Sequence, residues 1–308
     1  MSAGAEAGLD AALLDRIAVL RAGPREVEQL PGGLTNKNYK VTTPGGTYVV
    51  RHSTPSPANG LGVDRRVEYE NSVRAARSGV GAPVVDWVPD HGLLVVGFLE
   101  GETVSDAHLQ RPGMLPRVAE ACRRLHAGEP FVNRFDMFAL QPDYLGRVRR
   151  GGFRLPAGYE DHEEAVGRIR RALAAQPVAP VPCNNDLLAA NFIDDGRTVF
   201  IIDYEYSGNN DPYFELGNLW SECHLQPEQL EELVLAYDGT PSRSHLARAR
   251  LWALMSQYGW TLWASIQDST SVIDFDFWSW GMEKYERAEA TFGHRDLERL
   301  LVDVTRPD

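Results

Sequence analysis

Residues 183–191 read CNNDLLAAN and residues 199–206 read VFIIDYEY, and these two stretches decide how the chain is interpreted. They place three polar side chains on apolar supports: Asp186, Asn191 and, at the end of an apolar run, Asp203. Phosphoryl transfer needs a carboxylate that accepts the proton of the attacking hydroxyl, and oxygen ligands that hold Mg2+. Magnesium takes few protein ligands and leaves positions for ATP oxygens and water. The pattern predicts Asp186 as the catalytic residue and Asn191 and Asp203 as the metal ligands.

Each part of this pattern has a simpler interpretation when it is taken alone. Asn185 and Asp186 are common in turns, residues 194–196 read DDG like a hairpin tip, and Asp203 is typical of a strand end. The ordered spacing, together with the apolar run before Asp203, favours the functional interpretation over coincidence.

Together these residues resemble the choline/ethanolamine kinase family, within the wider aminoglycoside phosphotransferase and protein-kinase-like group. Its members carry His-x-Asp-x-x-x-x-Asn and then Ile-Asp-(Trp/Phe/Tyr)-Glu-Tyr. The resemblance implies a kinase that uses ATP and Mg2+ to phosphorylate the hydroxyl of choline or a related amino alcohol. This chain has Asn184 where the family usually has His. Because Asn also donates and accepts hydrogen bonds, we interpret Asn184 as a support that holds the catalytic loop against the metal-binding strand.

The resemblance also implies the fold, a two-lobed α+β architecture of the protein-kinase-like type. Residues 1–96 are expected to form a small antiparallel-sheet lobe that binds the nucleotide, residues 97–101 a hinge, and residues 102–308 a larger, mainly helical catalytic and acceptor-binding lobe. Apolar residues at helical spacing predict an amphipathic helix within residues 1–23.

Composition limits the classes of function. The 308 residues carry a formal net charge of -12, which argues against a general nucleic-acid binder because phosphate contacts need a basic surface. The cysteines are scattered and odd in number, and no apolar run approaches the roughly 18 residues of a membrane span. We therefore expect a soluble cytoplasmic protein with no membrane insertion, and the sequence leaves a homodimer open.

The resemblance assigns the nucleotide-binding residues. Arg51 stands where protein kinases place a strand Lys, and a guanidinium grips phosphate oxygens in a bidentate manner. Glu68 is the expected partner of Arg51, with Glu70 as the alternative. The remaining residues are assigned to the ATP phosphates, in a Gly-rich turn, and to the adenine, through the hinge backbone: Gly33, Thr35, Asn36, Phe98 and Leu99.

The acceptor side is assigned from aromatic residues that follow the metal strand. Trp260 and Trp263 are three residues apart on a predicted helix, so both indoles lie on one face. Choline kinases have such a pair, and the resemblance adds Tyr206, Trp280 and Glu222 to a pocket for a trimethylammonium group. Aromatic faces attract this group and the carboxylate adds charge complementarity. The aromatic residues Phe275, Trp252 and Trp220 are instead expected in the core.

Two other functions remain open at this stage. An aminoglycoside phosphotransferase would need several carboxylates in its acceptor cleft, and this chain offers one clear Glu there. A catalytically silent nucleotide-binding homologue is suggested by Asn184 but opposed by the intact Asp186, Asn191 and Asp203. His126, in a helical stretch, is expected to pack in the core as a helix-end residue.

Overall fold

The N-terminal part of the chain forms an antiparallel sheet. The computed structural model describes residues 9–21, 23–31, 36–53, 61 and 63–306. In these residues the sheet has the strand order β1-β2-β3-β5-β4. The strands are β1 Glu26–Leu30, β2 Lys37–Thr43, β3 Gly46–His52, β4 Val84–Val88 and β5 Leu93–Gly97. Alternate residues such as Tyr39, Val41, Leu93 and Val95 are buried, as the two-residue period of a half-buried strand requires. The expected small sheet is confirmed.

Helix α2, Arg65–Ser78, follows β3 and carries Glu68 toward the sheet. Asp64 caps it, because its side chain accepts hydrogen bonds from the backbone N–H groups of Arg66 and Val67. The helix ends at Gly79, which has a φ of 79° that favours glycine.

The expected amphipathic helix within residues 1–23 is wrong in its length. The described residues form only a short helix, α1 Ala11–Leu14, and a single 3-10 turn over Ala18–Leu20. Ile17 between them has an extended backbone, and Asp86 of β4 accepts a hydrogen bond from Ala18 N at 3.1 Å. This tertiary hydrogen bond therefore holds the break between the two short helical segments. Their apolar side chains still pack against the sheet.

The rest of the chain is mainly helical. Its helices are α3 Asp106–Leu109, α4 Met114–His126, α5 Met137–Gly151, α6 Glu163–Ala175, α7 Pro212–Glu222, α8 Pro227–Asp238, α9 Arg243–Thr270, α10 Phe277–Phe292 and α11 Arg295–Asp303. Helix α9 is buried on all sides from Leu251 to Gln267 and packs against α5, α7 and α10. Gly217 permits the close crossing of α7 and α9, since a Cβ there would lie 2.1 Å from Ala249 O. Within the described residues, no helix combines the length and apolar character needed to cross a bilayer.

Short strands flank residues 183–191 and 199–206. The strands β7 Val181–Cys183 and β10 Gly208–Asn210 pair with each other, and β8 Phe192–Asp194 pairs with both β6 Glu102–Thr103 and β9 Val199–Ile201. The loop from β7 to β8 carries Asp186 and Asn191, and Asp203 lies two residues after the end of β9. The fold thus brings both stretches to one place.

The expected core positions are partly confirmed. Trp252 is buried, Trp220 is half-buried against the core, and His126 at the end of α4 is buried with Nδ1 2.8 Å from the Tyr237 hydroxyl oxygen. The core assignment of Phe275 is wrong, because its side chain is 41% exposed. Phe275 lies in the connection between α9 and α10, and the buried aromatic residue is instead Phe277, the first residue of α10.

Candidate active site

The loop after β7 is fixed by Glu215 of α7. The two carboxylate oxygens of this buried side chain accept hydrogen bonds from Asn184 N at 2.9 Å and Asn185 N at 2.7 Å. Asn185 has a φ of 68°, which Asn tolerates better than most residues, and its Nδ2 donates to Tyr206 O at 3.1 Å. Sequence analysis assigned no role to Glu215. An acidic residue in the first turn of the helix that follows β10 was the available signal.

Asn184 joins the loop after β7 to the segment after β9. Its Nδ2 donates to Asp203 O at 2.7 Å and to Ile202 O at 3.1 Å, while its Oδ1 accepts from Asp186 N at 3.1 Å. The side chain is fully buried. These contacts are the loop support expected for Asn184, and one amide makes them because it both donates and accepts.

Asp186, Asn191 and Asp203 line one cavity. Asn191 Nδ2 donates to Asp186 O at 2.6 Å, so the two residues are held together through the backbone of the loop. Burial raises the pKa of the Asp186 carboxyl well above its ordinary value, and the negative charges of Asp203 and Glu205 raise it further. The geometry therefore gathers a basic carboxylate and two further oxygen-bearing side chains.

Asp203 is held in a conformation that non-glycine residues seldom adopt. Its φ is 64°, and its Oδ1 accepts a hydrogen bond from Arg51 Nη1 at 2.9 Å. Left-handed backbone in a residue other than glycine persists only where surrounding contacts enforce it, and such residues concentrate at functional sites. Here the enforcing contacts are the Asn184 amide on its carbonyl and Arg51 on its carboxylate.

Arg51 is the centre of a buried charge network. Its Nη1 lies 2.7 Å from Glu68 Oε1 and its Nη2 donates to Glu205 Oε2 at 3.0 Å. Arg65 adds a second cation, with Nη1 2.7 Å from Glu68 Oε2 and 3.1 Å from Glu205 Oε2. The expected Arg51–Glu68 pair is present, whereas Glu70 pairs with Arg66 on the exposed face of α2.

Sequence analysis missed Glu205 and Arg65 as members of this network. Glu205 stands inside the quoted VFIIDYEY stretch, two residues after Asp203, and its position there was the signal. Asn36 Nδ2 also donates to Glu205 Oε2 at 3.0 Å, so Asn36 lies at the edge of the network and not among the residues that line the cavity. Gly33 and Thr35 lie outside the described residues.

The cavity has a volume of about 620 Å3. One end is apolar and is covered by the sheet and by the segment after β5. Its lining includes Leu30, Val49, Val96, Phe98, Leu99, Ile193 and Ile202. The cavity thus contains the residues assigned to adenine, Phe98 and Leu99, as well as Arg51 and the three polar residues of the loop and strand.

The other end of the cavity is aromatic. Tyr206, Trp260, Trp263 and Trp280 all line it and contact one another in series. The ring of Tyr206 meets Trp260 edge-on at 5.2 Å, its hydroxyl oxygen accepts from Trp263 Nε1 at 2.7 Å, and the Trp263 ring lies 5.6 Å from that of Trp280. The four aromatic residues predicted for the acceptor side are therefore together, although they come from three separate parts of the chain.

Glu222, the last residue of α7, also lines this end and forms an ion pair with Lys284 of α10. The Lys284 ammonium lies over the Trp280 ring, 3.8 Å from its centroid. Both charged side chains are buried. Sequence analysis missed Lys284. The signal was its spacing, since residues four apart on a helix lie on the same face and Trp280 precedes Lys284 by four.

The chain is similar in sequence and fold to known proteins. A family model described as the phosphotransferase enzyme family matches residues 26–252. A solved choline/ethanolamine kinase family protein from Mesorhizobium loti is 34% identical, with a TM-score of 0.84 over 96% of this chain and 97% of that chain. LicA from Haemophilus influenzae is 28% identical over 253 residues, 77% of this chain and 72% of its own length. A solved LicA in complex with AMP, 23% identical, has a TM-score of 0.73 over 92% of this chain and 98% of that chain.

These matches confirm the two-lobed, protein-kinase-like α+β fold and the resemblance recognised from the catalytic stretch. The chain belongs to the phosphotransferase enzyme family and, within it, to the choline/ethanolamine kinases, which transfer a phosphoryl group to an alcohol.

Proposed function

We propose that this protein transfers the γ-phosphoryl group of ATP, with Mg2+, to the hydroxyl of choline or a related amino alcohol. The observation that carries the proposal is one cavity lined by Asp186, Asn191 and Asp203, by apolar residues of the sheet and by four aromatic residues. Phosphoryl transfer requires that donor and acceptor be held in line. A cavity that joins an apolar lining, an aromatic lining and these polar side chains has room for both substrates at one place.

In the proposed reaction, Asp186 orients the acceptor hydroxyl and takes its proton. A bond forms between the acceptor oxygen and the γ-phosphorus, while the bond from that phosphorus to the bridging oxygen breaks and ADP leaves. The raised pKa of Asp186 suits this role, since a general base works best when its pKa approaches the working pH. Asn184 and Glu215 hold the loop that positions it.

The donor set at the other side of the loop fits Mg2+. Asn191 uses its Nδ2 on Asp186 O, which leaves the amide oxygen as its available ligand atom, and Asp203 is partly exposed to the cavity. Hard oxygen donors of this kind are the ligands that Mg2+ prefers. We propose Asn191 and Asp203 as the metal ligands. When bound, the ion would neutralise charge on the phosphates.

For the nucleotide we propose the apolar end of the cavity, with Phe98 and Leu99 at the adenine and Arg51 near the phosphates. Support comes from the apolar lining and from the similarity in fold to LicA, which has been solved with AMP. Gly33, Thr35 and Asn36 complete the proposed phosphate loop, and Glu68 orients Arg51. We also propose residues 1–96 and 102–308 as the two lobes, with residues 97–101 as the hinge, because β5 ends at Gly97.

For the acceptor we propose the aromatic end, formed by Tyr206, Trp260, Trp263 and Trp280 with Glu222. Faces of aromatic rings attract a quaternary ammonium, with each contact worth roughly 0.5 to 2 kcal/mol. A trimethylammonium group has no N–H donors and loses less hydration than a bare ammonium in such a pocket. We therefore expect choline to exceed ethanolamine in kcat/KM by roughly tenfold, which corresponds to about 1.4 kcal/mol.

The test is ADP release with ATP and Mg2+ across a panel of choline, its partly methylated and unmethylated analogues, and aminoglycosides. Turnover stimulated by an amino alcohol is the expected result, and Trp263→Ala should reduce the preference for choline. Stimulation by aminoglycosides alone would replace the proposed acceptor with a polycationic sugar. Absence of turnover with every acceptor would instead identify a silent nucleotide-binding homologue.

We also propose a cytoplasmic location. The buried, free cysteines accord with it, because thiols stay reduced there.

A further inference from the structure

The carboxylate at the aromatic end of the cavity already has a resident counter-ion. Lys284 Nζ donates a hydrogen bond to Glu222 Oε2, and the same ammonium lies 3.8 Å from the centroid of the Trp280 ring. The side chain of Lys284 is 6% exposed and that of Glu222 is 3% exposed. The pair is therefore protected from water, and solvent does not screen it as it would screen a surface ion pair.

This ion pair changes the net charge that a bound acceptor would face. A carboxylate paired with an ammonium presents little net charge to a third ion, because the attraction and the repulsion nearly cancel at similar distances. Glu222 Oε1 has no hydrogen-bond partner in the described part of the chain, so the carboxylate is held through one oxygen. Removal of Lys284 would release a full negative charge at the wall of the cavity.

We propose that Lys284 is a positioning residue that sets how the acceptor is recognised: by neutralising Glu222, it leaves recognition of the quaternary ammonium to the aromatic rings and not to the carboxylate. The inference rests on the proposed amino-alcohol function. It also accounts for the use of four aromatic rings, since ring faces attract a quaternary ammonium whether or not a free carboxylate is present. The earlier expectation of direct charge complementarity from Glu222 did not include Lys284.

The test compares choline with its neutral isostere, in which a tert-butyl group replaces the trimethylammonium. Both molecules have the same shape and hydroxyl, so the ratio of their kcat/KM values measures recognition of charge alone. In Lys284→Met, Glu222 becomes a free counter-ion, and the ratio should rise at least tenfold, or about 1.4 kcal/mol. The rise should appear as a lower KM for choline with kcat little changed.

A second variant serves as a control for misfolding, because Lys284→Met leaves a buried carboxylate unpaired. Glu222→Gln combined with Lys284→Met removes both charges and leaves no isolated ion. The ratio of kcat/KM for choline to kcat/KM for the isostere should stay, in this double variant, within about threefold of the wild-type ratio. Calorimetric binding of both ligands gives the same comparison without turnover.

The matched control is Arg154→Met. Arg154 also places a cation over a tryptophan of α10, with its guanidinium carbon 3.8 Å from the Trp278 centroid, but its side chain is 58% exposed and does not line the cavity. This variant should leave the ratio unchanged.

Two results would overturn the inference while leaving the proposed function intact. An unchanged ratio in Lys284→Met would make the pair a purely structural link between α7 and α10. A fall of tenfold or more in the double variant would mean that Glu222 serves the acceptor directly in the wild type. Absence of both binding and turnover with every amino alcohol would contradict the proposed function itself, and the Lys284 inference with it.

Discussion

Arg51 of β3 and Glu68 of α2 form a buried ion pair, with 2.7 Å between Nη1 and Oε1. The same guanidinium also reaches Asp203 at 2.9 Å and Glu205 at 3.0 Å, so a residue of the sheet binds both the adjoining helix and the segment after β9. Removing one member of such a network leaves its partners as buried, uncompensated charges. The pair therefore belongs to a network that links Arg51, which is proposed to contact the phosphates, to the proposed metal ligand Asp203.

Arg51→Ala should raise the KM for ATP by at least about tenfold and slow transfer, because a charge-assisted contact to phosphate oxygens is lost. The KM for the amino alcohol should change little, since the ion pairs of Arg51 are with Glu68, Asp203 and Glu205 and not with the proposed acceptor residues. Initial rates with each substrate varied in turn measure both effects. Selective loss of acceptor binding would place Arg51 at the wrong end of the cavity.

Helix α2 supplies a matched pair of controls for this assignment. Glu68→Gln should also raise the KM for ATP, whereas Glu70→Gln should not, since Glu70 pairs with Arg66 at the exposed surface. Equal effects from the two substitutions would show that the charge of the helix, and not the Arg51 contact, is responsible.

Asp186→Asn should lower kcat at least about a hundredfold while ATP affinity stays nearly unchanged. The amide keeps the shape of the side chain but cannot take the proton of the hydroxyl. Rapid-quench measurement of phosphoryl transfer, with separate measurement of ATP binding, distinguishes the two effects. Turnover close to wild type would remove Asp186 from the mechanism.

Asp203→Ala should abolish the dependence of nucleotide binding on Mg2+, because the ion would lose its charged protein ligand. Calorimetric titration of a non-hydrolysable ATP analogue, with and without Mg2+, measures this directly. Loss of the Asp203 carboxylate also leaves Arg51 with one partner fewer, so the folded state of the variant is checked by circular dichroism. Normal Mg2+-dependent binding would refute the metal assignment.

Asn184→Asp should lower kcat by at least about tenfold. A carboxylate cannot donate to the carbonyls of Ile202 and Asp203, and it would repel both oxygens. Asn184→His provides the comparison, because an imidazole N–H can donate to one of these carbonyls. We expect this second variant to keep its substrate range and to change its rate modestly. A gain of several orders of magnitude would show that the natural Asn184 disables the enzyme.

Asp194→Asn should destabilise the fold by about 1 to 3 kcal/mol at neutral pH, because two hydrogen bonds to Arg117, each of 2.6 Å, lose their ionic character. These bonds to the Arg117 guanidinium lower the pKa of Asp194 below its ordinary value of 3.8. The carboxylate therefore stabilises the protein above that value, and the contribution is lost as the pH falls through the lower, folded-state pKa.

Urea unfolding of wild type and Asp194→Asn, compared at about pH 6 and about pH 3, measures the prediction. The difference in the free energy of unfolding should shrink toward the acidic end. A difference that stayed constant with pH would mean that the lost stability comes from packing and not from the charge.

The sequence by itself determined the local elements of the site. Each of three sequence features is confined to one loop, strand or helix. They are the five-residue step from Asp186 to Asn191, the apolar run before Asp203, and the three-residue step between Trp260 and Trp263. Backbone geometry then fixes which side chains share a face.

Only the tertiary structure decided which distant partners meet. Arg51 pairs with Glu68 and not with Glu70, and a hydrogen bond to Asp86 interrupts the expected first helix. Phe275 is exposed. Glu222 pairs with Lys284, which is 62 positions away in the chain. Local periodicity places a residue on a face of its own element but does not say what that face will contact. The contact depends on how α7, α9 and α10 pack around one another, and ion pairs between buried side chains form only once that packing has excluded water.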